Sequence, residues 1–185
     1  MSTGGCSSPL QSDTRFRKAT EADLPRILAI TKDVVALLNA EGNFQWNHTY
    51  PLESDFRRDV NEDCLWVAVD TETDEVFAYM AITTDQPTEY NEVGLDTSIE
   101  CTVPHRLAVL PTSRNRGTAQ KFMSFAEEVA KQRGHTLIRV DTNVINHRMN
   151  HVFRKLGYKL FGDVSFAAKG EEYSDMRFNC YEKAL

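Results

Sequence analysis

No apolar stretch in this chain approaches the roughly 20 residues that a membrane-spanning helix requires, so a bilayer is not an expected partner. The first residues carry no apolar leader segment, and a cytoplasmic protein is expected. Without such a leader, the sequon Asn47-His48-Thr49 carries no meaning. Cysteine is scarce: Cys6, Cys64, Cys101 and Cys180 are scattered and form no Cys-x-x-Cys pair. Buried or free thiols in a reducing compartment are the expectation. Positive charge is in short supply, 21 Lys and Arg against 27 Asp and Glu for a net charge of −6, which argues against nucleic acid as the main partner. An acidic body suits a cationic partner slightly better. His147 and His151 stand four apart but lack a His-Glu-x-x-His setting and a third ligand. They read as solvent-facing histidines, and no metal is expected. There is no full Gly-x-Gly-x-x-Gly, no Gly-Lys-Ser/Thr ending, no internal repeat and no second domain boundary.

What is present is ordinary for a globular domain: 41% hydrophobic and 26% charged residues over 185 positions, enough for one substantial core. Residues Met1 to Thr14, rich in Ser, Gly and Thr, read as a disordered tail, leaving residues 15–185 as one domain. Arg15 to Ala19 form an expected first strand. Thr20 with Asp23 resembles a helix cap, and Leu24, Ile27, Leu28, Val35 and Leu38 follow at helical spacing, predicting a helix from about Glu21 to Ala40. Gly42 to Pro51 is an aromatic loop and Ser54 to Val60 a short helix. Leu65 to Val69 and Val76 to Thr83 predict a hairpin turning at Thr71 to Asp74. A polar connection from Thr84 to about Glu100 leads to a strand over Thr102 to Val109. Ala119, Phe122, Met123, Ala126, Val129 and Ala130 mark one face of a helix stopped at Gly134. A strand at Leu137 to Asp141, a helix from about His147 to Leu156 capped at Gly157, and closing strands at Tyr158 to Phe161 and Met176 to Tyr181 complete the order.

The chain is organised around His105 to Ala119, where an apolar strand passes through Pro111 into a loop with Arg114, Arg116 and Gly117 and opens a helix. Gly117 permits close backbone approach. The first amides of the helix lack partners within it, and with the positive end of the dipole they favour an anion. Arg114 and Arg116 can add bidentate contacts. A charged turn that merely caps a helix would share the pattern, but the strand–loop–helix setting is that of phosphate cradles.

The succession Arg114-Asn115-Arg116-Gly117-Thr118-Ala119 after Ala108-Val109, followed by Asn146-x-x-Met149-x-x-Val152-Phe153-Arg154-Lys155-Leu156-Gly157-Tyr158, resembles the GNAT superfamily of N-acetyltransferases. Gly42-Asn43-Phe44-Gln45-Trp46 together with His105-Arg106-Leu107-Ala108-Val109 looks like a bacterial-type subgroup. The strong part of the match covers roughly Val103 to Phe161. The resemblance implies an α/β (α+β) fold: a mixed, mostly antiparallel central sheet of about six to seven strands, flanked by about four helices, with splayed central strands. It implies acetyl-CoA as acetyl donor and a small-molecule or peptide amine as acceptor, attacked directly in a ternary complex. Leu107, Ala108 and Val109 would run beside the pantetheine arm. Arg114, Asn115, Arg116, Gly117, Thr118 and Ala119 would hold the diphosphate. Asn146 and Phe153 would contact the cofactor from the other side. Homodimers fit the resemblance, and the sequence leaves oligomeric state and acceptor open.

The general base is expected at Glu100 or His105, directly or through water. Glu100 just precedes the central strand and would otherwise be a solvated loop charge. His105 shares strand parity with Leu107 and Val109 and would otherwise pack or pair locally. Pro104 suggests a bulge or edge there, which would upset the parity. Trp46 and Tyr50 of the aromatic loop are candidates for the acceptor wall or a self-packed lid. Arg106 reads equally as a receptor for an acceptor carboxylate or as one half of a salt bridge. The family often places a tyrosine at the position of Phe153 to protonate the leaving sulfur, and phenylalanine has no proton to give. That departure keeps a second reading open, an acyl-CoA-binding regulatory or interaction module without turnover.

Overall fold

The computed structural model describes residues 14–114, 116–167 and 170–185, with the side chain of Glu172 excluded. The expected tail over residues 1–13, with Cys6, lies outside the described residues, as does Asn115. Thr14 does not belong to a tail: it opens β1 (Thr14–Lys18) and pairs with Asp70.

The chain continues through α1 (Leu24–Ala40), α2 (Glu53–Asn61), β2 (Leu65–Asp70), β3 (Val76–Thr83), β4 (Val103–Val109), α3 (Thr118–Gln132), β5 (Leu137–Asn143), α4 (His147–Lys155), β6 (Lys159–Val164) and β7 (Phe178–Ala184). The capping box before α1 forms as its sequence predicts. Thr20 N–H donates to Asp23 Oδ2 at 2.8 Å, and a single 3-10 turn, Glu21–Asp23, precedes the helix proper. The polar connection after β3 is not featureless. It holds a 3-10 segment, Thr88–Val93, anchored by fully buried Tyr90. One aromatic residue in a run of polar ones gives no periodicity to read.

The seven strands form two antiparallel sheets, ordered β1-β2-β3-β4 and β5-β7-β6. They meet at one point. Thr102 N–H donates to Leu137 O at 3.2 Å, and Arg139 N–H donates to Thr102 O at 3.0 Å, a parallel bridge between Thr102 and Ile138. Beyond it β4 and β5 form no further ladder among the described residues, so the two strands part into a cleft. Helices α1 and α2 cover one face of the first sheet, with Ile27, Ile30, Phe56, Val67 and Tyr79 fully buried. Phe122 and Met123 of α3 and Phe153 of α4 pack on the other face against Met80, Ile82 and Val140. Each such fully buried aliphatic or aromatic side chain contributes about 1.5–3 kcal/mol by leaving water. These two cores clamp the walls of the cleft and fix its opening.

Cys64, Cys101 and Cys180 are buried and free. Burial pushes their thiols up, to about 11, 11 and 12 respectively, so they are protonated and unreactive near neutrality.

Candidate active site

Strand β4 carries a bulge at its centre. Against β3 the register reads Ala78–Val109 and Tyr79–Ala108, then shifts to Ala81–His105 and Ile82–Pro104, so Arg106 and Leu107 together stand opposite Met80. Arg106 takes up the distortion with φ +54°, in the left-handed region that non-glycine residues rarely occupy. The consequence is a switch in which backbone groups face the cleft. Below the bulge, Ile82 donates its N–H to Cys64 O at 2.8 Å, away from β4, so its partner Pro104 sits where no ladder bond is made and lacks nothing by having no N–H. Above the bulge, Leu110 donates to Phe77 O at 2.8 Å. Alternation then turns Ala108 toward β3 and leaves the amide and carbonyl of Leu107 and Val109 on the open edge. Ala108, expected in the cofactor set, is therefore turned away from that edge. Its backbone faces β3 and its side chain is buried against the α1 face.

Burial of the Arg106 side chain is possible because its charge is matched. Nε donates to Asp59 Oδ2 at 2.9 Å, Nη2 to Asp59 Oδ1 at 2.7 Å and Oδ2 at 2.6 Å, and Nη1 to Tyr50 Oη at 3.1 Å. Side-chain exposure is 9% for Arg106 and 2% for Asp59. Burial disfavours the guanidinium charge, but Tyr50 and Asp59 outweigh it and hold the Arg106 pKa above its ordinary value. Burial raises the Tyr50 hydroxyl, against the pull of Arg106. Of the two sequence readings of Arg106, the salt bridge is the one observed.

A cavity of about 840 Å³ occupies the gap between the sheets. Leu107, Met123, Val140, Asn146, Met149 and Phe153 line one side of it. The other side is lined by Trp46, Tyr50, His105, Asp141, Phe166 and Tyr173. The aromatic loop is tied over this second side by Gln45. Its Oε1 accepts from Asn143 N–H at 3.1 Å, and its carbonyl accepts from Tyr173 Oη at 3.2 Å. Trp46 is both wall and core, 7% exposed within the cluster that contains α1.

His105 lies in the cavity wall, with Nε2 3.1 Å from Asp85 O. A carbonyl only accepts, so in the neutral ring Nε2 donates and Nδ1 is the proton-accepting nitrogen. Glu100, the other expected base, stands apart from this wall. Its side chain is 79% exposed, sits 3.7 Å from His135 Nε2 beside the closed end of the cleft, and does not line the cavity. Asn146 lines the cavity as the cap of α4. Its Oδ1 accepts from Met149 N–H at 3.3 Å, and its Nδ2 donates to Thr142 Oγ1 at 3.0 Å, so both ends of the amide are used locally. Phe153 is 4% exposed, with its ring centroid 5.7 Å from that of Tyr158 and 5.4 Å from that of Tyr181.

At the end of β4 the chain turns through Pro111–Ser113 into α3. Gly117 caps the helix with φ +72° and no side-chain cap is present. The first helical bond runs from Lys121 N–H to Gly117 O at 2.9 Å, so the amides of Thr118, Ala119 and Gln120 have no helical acceptor. Arg114 Nη1 is buried without a partner among the described residues. Burial and then neighbouring Arg148 push the Arg114 pKa down, against a smaller opposing pull from Glu41. A guanidinium nitrogen with no partner among the described residues, three amides with no helical acceptor and a helix mouth fit a diphosphate. The open edge of Leu107 and Val109 leads to it. Arg116 is exposed beside the same mouth.

Sequence reasoning missed Asp59, Tyr90 and Asp141. Asp59 is separated from Arg106 by 47 positions, and Tyr90 from Asp141 by 51. Spacing rules reach only a few residues.

An open strand edge running to an anion-collecting helix mouth is the kind of site that grips a phosphate-tailed carrier along its length. A model of the acetyltransferase (GNAT) family matches residues 31–158, and the chain belongs to that family. Acetyl-CoA is the family's acetyl donor. Among solved structures, a GNAT-family acetyltransferase of Streptococcus agalactiae superposes with a TM-score of 0.77 at 24% identity, covering 93% of this chain and 95% of that one. A ribosomal-protein-alanine N-acetyltransferase of Brucella melitensis gives 0.66 at 22% identity over 92% and 99%. The Salmonella typhimurium protein yncA, solved with its cofactor acetyl-CoA, gives 0.63 at 14% identity over 93% and 94%. These likenesses establish the fold. No curated protein matches the chain in sequence. Among the described residues no helix is long and apolar enough to cross a membrane.

Proposed function

We propose that this protein transfers an acetyl group from acetyl-CoA to the primary amine of a small molecule or peptide, by direct attack in a ternary complex. The observation that carries the reading is the continuity of the bulged β4 edge with the α3 mouth, where Arg114 Nη1 has no partner among the described residues. In this reading residues 15–185 act as one domain. The backbone of Leu107 and Val109 aligns the pantetheine arm. The amides of Thr118 and Ala119, with Arg114 and Arg116, hold the diphosphate, and Phe153 and Met149 form an apolar wall beside the thioester. Acetyl-CoA supplies the activated acetyl group, whose C–S bond breaks as the amine N–C bond forms. The open-edge amide of Leu107 stabilises the charge developing on the carbonyl oxygen, an effect worth about 3–4 kcal/mol.

His105 is the base. A lysine-like amine with pKa about 10.4 costs roughly 4.6 kcal/mol to deprotonate at pH 7, against about 1 kcal/mol for an α-amino group. His105→Gln is expected to lower kcat about a hundredfold for an acceptor of the first kind, with KM for acetyl-CoA unchanged. Steady-state kinetics with an alkylamine and with a peptide α-amine check it, and equal kcat in variant and wild type removes His105 from the chemistry.

The test of the function itself is free-thiol release from acetyl-CoA with a broad amine panel. Wild-type protein should release thiol with at least one amine, and silence across the panel counts against the reading. Phe153 favours one alternative, an acyl-CoA-binding module without turnover, because it offers no proton to the sulfur. A thiol of pKa about 8.5 is already a tolerable leaving group near neutrality. Tight CoA binding with persistent inactivity, even in Phe153→Tyr, would select that alternative.

A further inference from the structure

Across the cleft from His105 is a carboxylate with no ion pair among the described residues. The bridge between Thr102 and Ile138 marks the closed end, and three residues further along each strand stand His105 on β4 and Asp141 on β5. They occupy the same level on opposite walls of the cavity that both line. Strand alternation sends Val140 into the core shared with α3 and α4, and turns Asp141 to the side where Thr88–Val93 packs. There Tyr90, fully buried, donates its hydroxyl to Asp141 Oδ2 at 2.8 Å. Burial, and then the Asp141 carboxylate itself, hold the Tyr90 hydroxyl well above its ordinary pKa, so it remains a donor.

A carboxylate has about four acceptor sites, and Tyr90 takes one. Among the described residues no Lys or Arg forms an ion pair with Asp141. The cavity's own arginines do not compensate it. Arg106 is bound to Asp59, and Arg58 lies 3.4 Å from Asp55 and 3.8 Å from Asp59. Asp85 and Glu89 line the same side, and Trp46, Tyr50, Phe166 and Tyr173 supply aromatic walls. Carboxylate and aromatic faces together favour an organic cation.

We propose that Asp141, positioned by Tyr90, is the acceptor-binding residue that receives the ammonium group of the incoming amine. The assignment rests on the reading of this cavity as the acceptor side of an N-acetyltransferase. It divides the work between the two walls. Asp141 draws in the charged amine, His105 takes one proton from it, and the neutral amine faces the thioester.

Asp141→Asn separates charge from scaffolding, because the amide oxygen still accepts the Tyr90 hydroxyl. The variant should melt like wild type. Its KM for the amine should rise about tenfold or more while KM for acetyl-CoA stays within about twofold, the size of one lost charge-assisted contact. A probe that cannot be acetylated makes the result independent of turnover. Benzyltrimethylammonium should bind CoA-loaded wild type about tenfold more tightly than CoA-loaded Asp141→Asn. It should also bind wild type about tenfold more tightly than neutral benzyl alcohol does, a comparison that needs no variant. Tyr90→Phe keeps the charge and should weaken the probe only about two- to threefold. Unchanged amine KM and probe affinity in folded Asp141→Asn, or equal affinity of wild type for cation and alcohol, overturns the proposal. If the probe discriminates as expected but no amine releases thiol, the transferase reading fails and the cation site stands. If amines are acetylated but Asp141→Asn changes nothing, the reverse holds.

Discussion

Replacing Gly117 with glutamate is expected to abolish acetyl-CoA binding in a protein that still folds. The position has φ +72°, which costs a residue with a Cβ about 1–2 kcal/mol. Among the described residues, and apart from the two chain neighbours, no atom lies within 4 Å of a Cβ built there. A carboxylate at the first turn of α3 interacts favourably with the helix dipole, which offsets part of the strain in the free protein. In the complex the same carboxylate stands where the amides of Thr118 and Ala119 and Arg114 Nη1, without a partner among the described residues, would receive the diphosphate. Two unit charges about 4 Å apart near a protein surface repel by about 4 kcal/mol. That is close to a thousandfold in affinity, and displacement of the diphosphate adds to it. Gly117→Ala is the control, because it carries the strain without the charge and should lose far less. Calorimetric titration with CoA checks both. Full affinity in folded Gly117→Glu would show that the diphosphate binds elsewhere.

The sequence made the frame of this site legible and left its interior hidden, for one physical reason. Signals that act within a few residues were readable. Thr20 and Asp23 announced the start of α1, and the glycines at the ends of α3 and α4, Gly134 and Gly157, take the left-handed φ their positions imply, +79° and +85°. The hairpin of β2 and β3 follows alternating apolar residues, and Gly117 with the following amides forms the helix mouth read from the motif. What failed depended on distant partners. Pro104 suggests a bulge or edge in this strand, but not its place: the bulge falls at Arg106 and Leu107, where a buried ion pair from α2 holds an arginine in a conformation that favours glycine. Without the position of that bulge the parity of β4 cannot be assigned from the sequence, which does not separate Ala108 from Val109 although their backbones face opposite ways. Glu100 looked adjacent to the site because it precedes β4. The three-dimensional path turns it toward His135 at the closed end. Tyr90 looked like a loop residue because a single buried aromatic gives no pattern, and so its partner Asp141 was read only as the end of a strand.

Asp59→Ala should be among the most destabilising single changes available near the site, with a loss of about 3–5 kcal/mol, as when one partner of a buried ion pair is removed. The substitution strips Arg106 of three hydrogen bonds at 2.6–2.9 Å and leaves a guanidinium only 9% exposed with Tyr50 Oη as its remaining partner. The same guanidinium anchors a residue at φ +54°, so its release allows the backbone strain to relax and the bulge to slip. Stability and site geometry are therefore coupled here: the ion pair holds the bulge, and the bulge turns Leu107 and Val109 toward the cofactor. For a protein of this size each kcal/mol moves the melting point by about 2–4 °C, so a fall of roughly 6–20 °C is expected by differential scanning calorimetry. The double variant Asp59→Ala with Arg106→Gly removes the orphaned charge and places glycine at a conformation it accepts. It should melt above Asp59→Ala alone, a non-additivity of about 1–3 kcal/mol that only a direct pairing produces. If the double variant instead loses the sum of the two single effects, Arg106 keeps its bulge without Asp59, and the open edge of β4 must be maintained by packing alone.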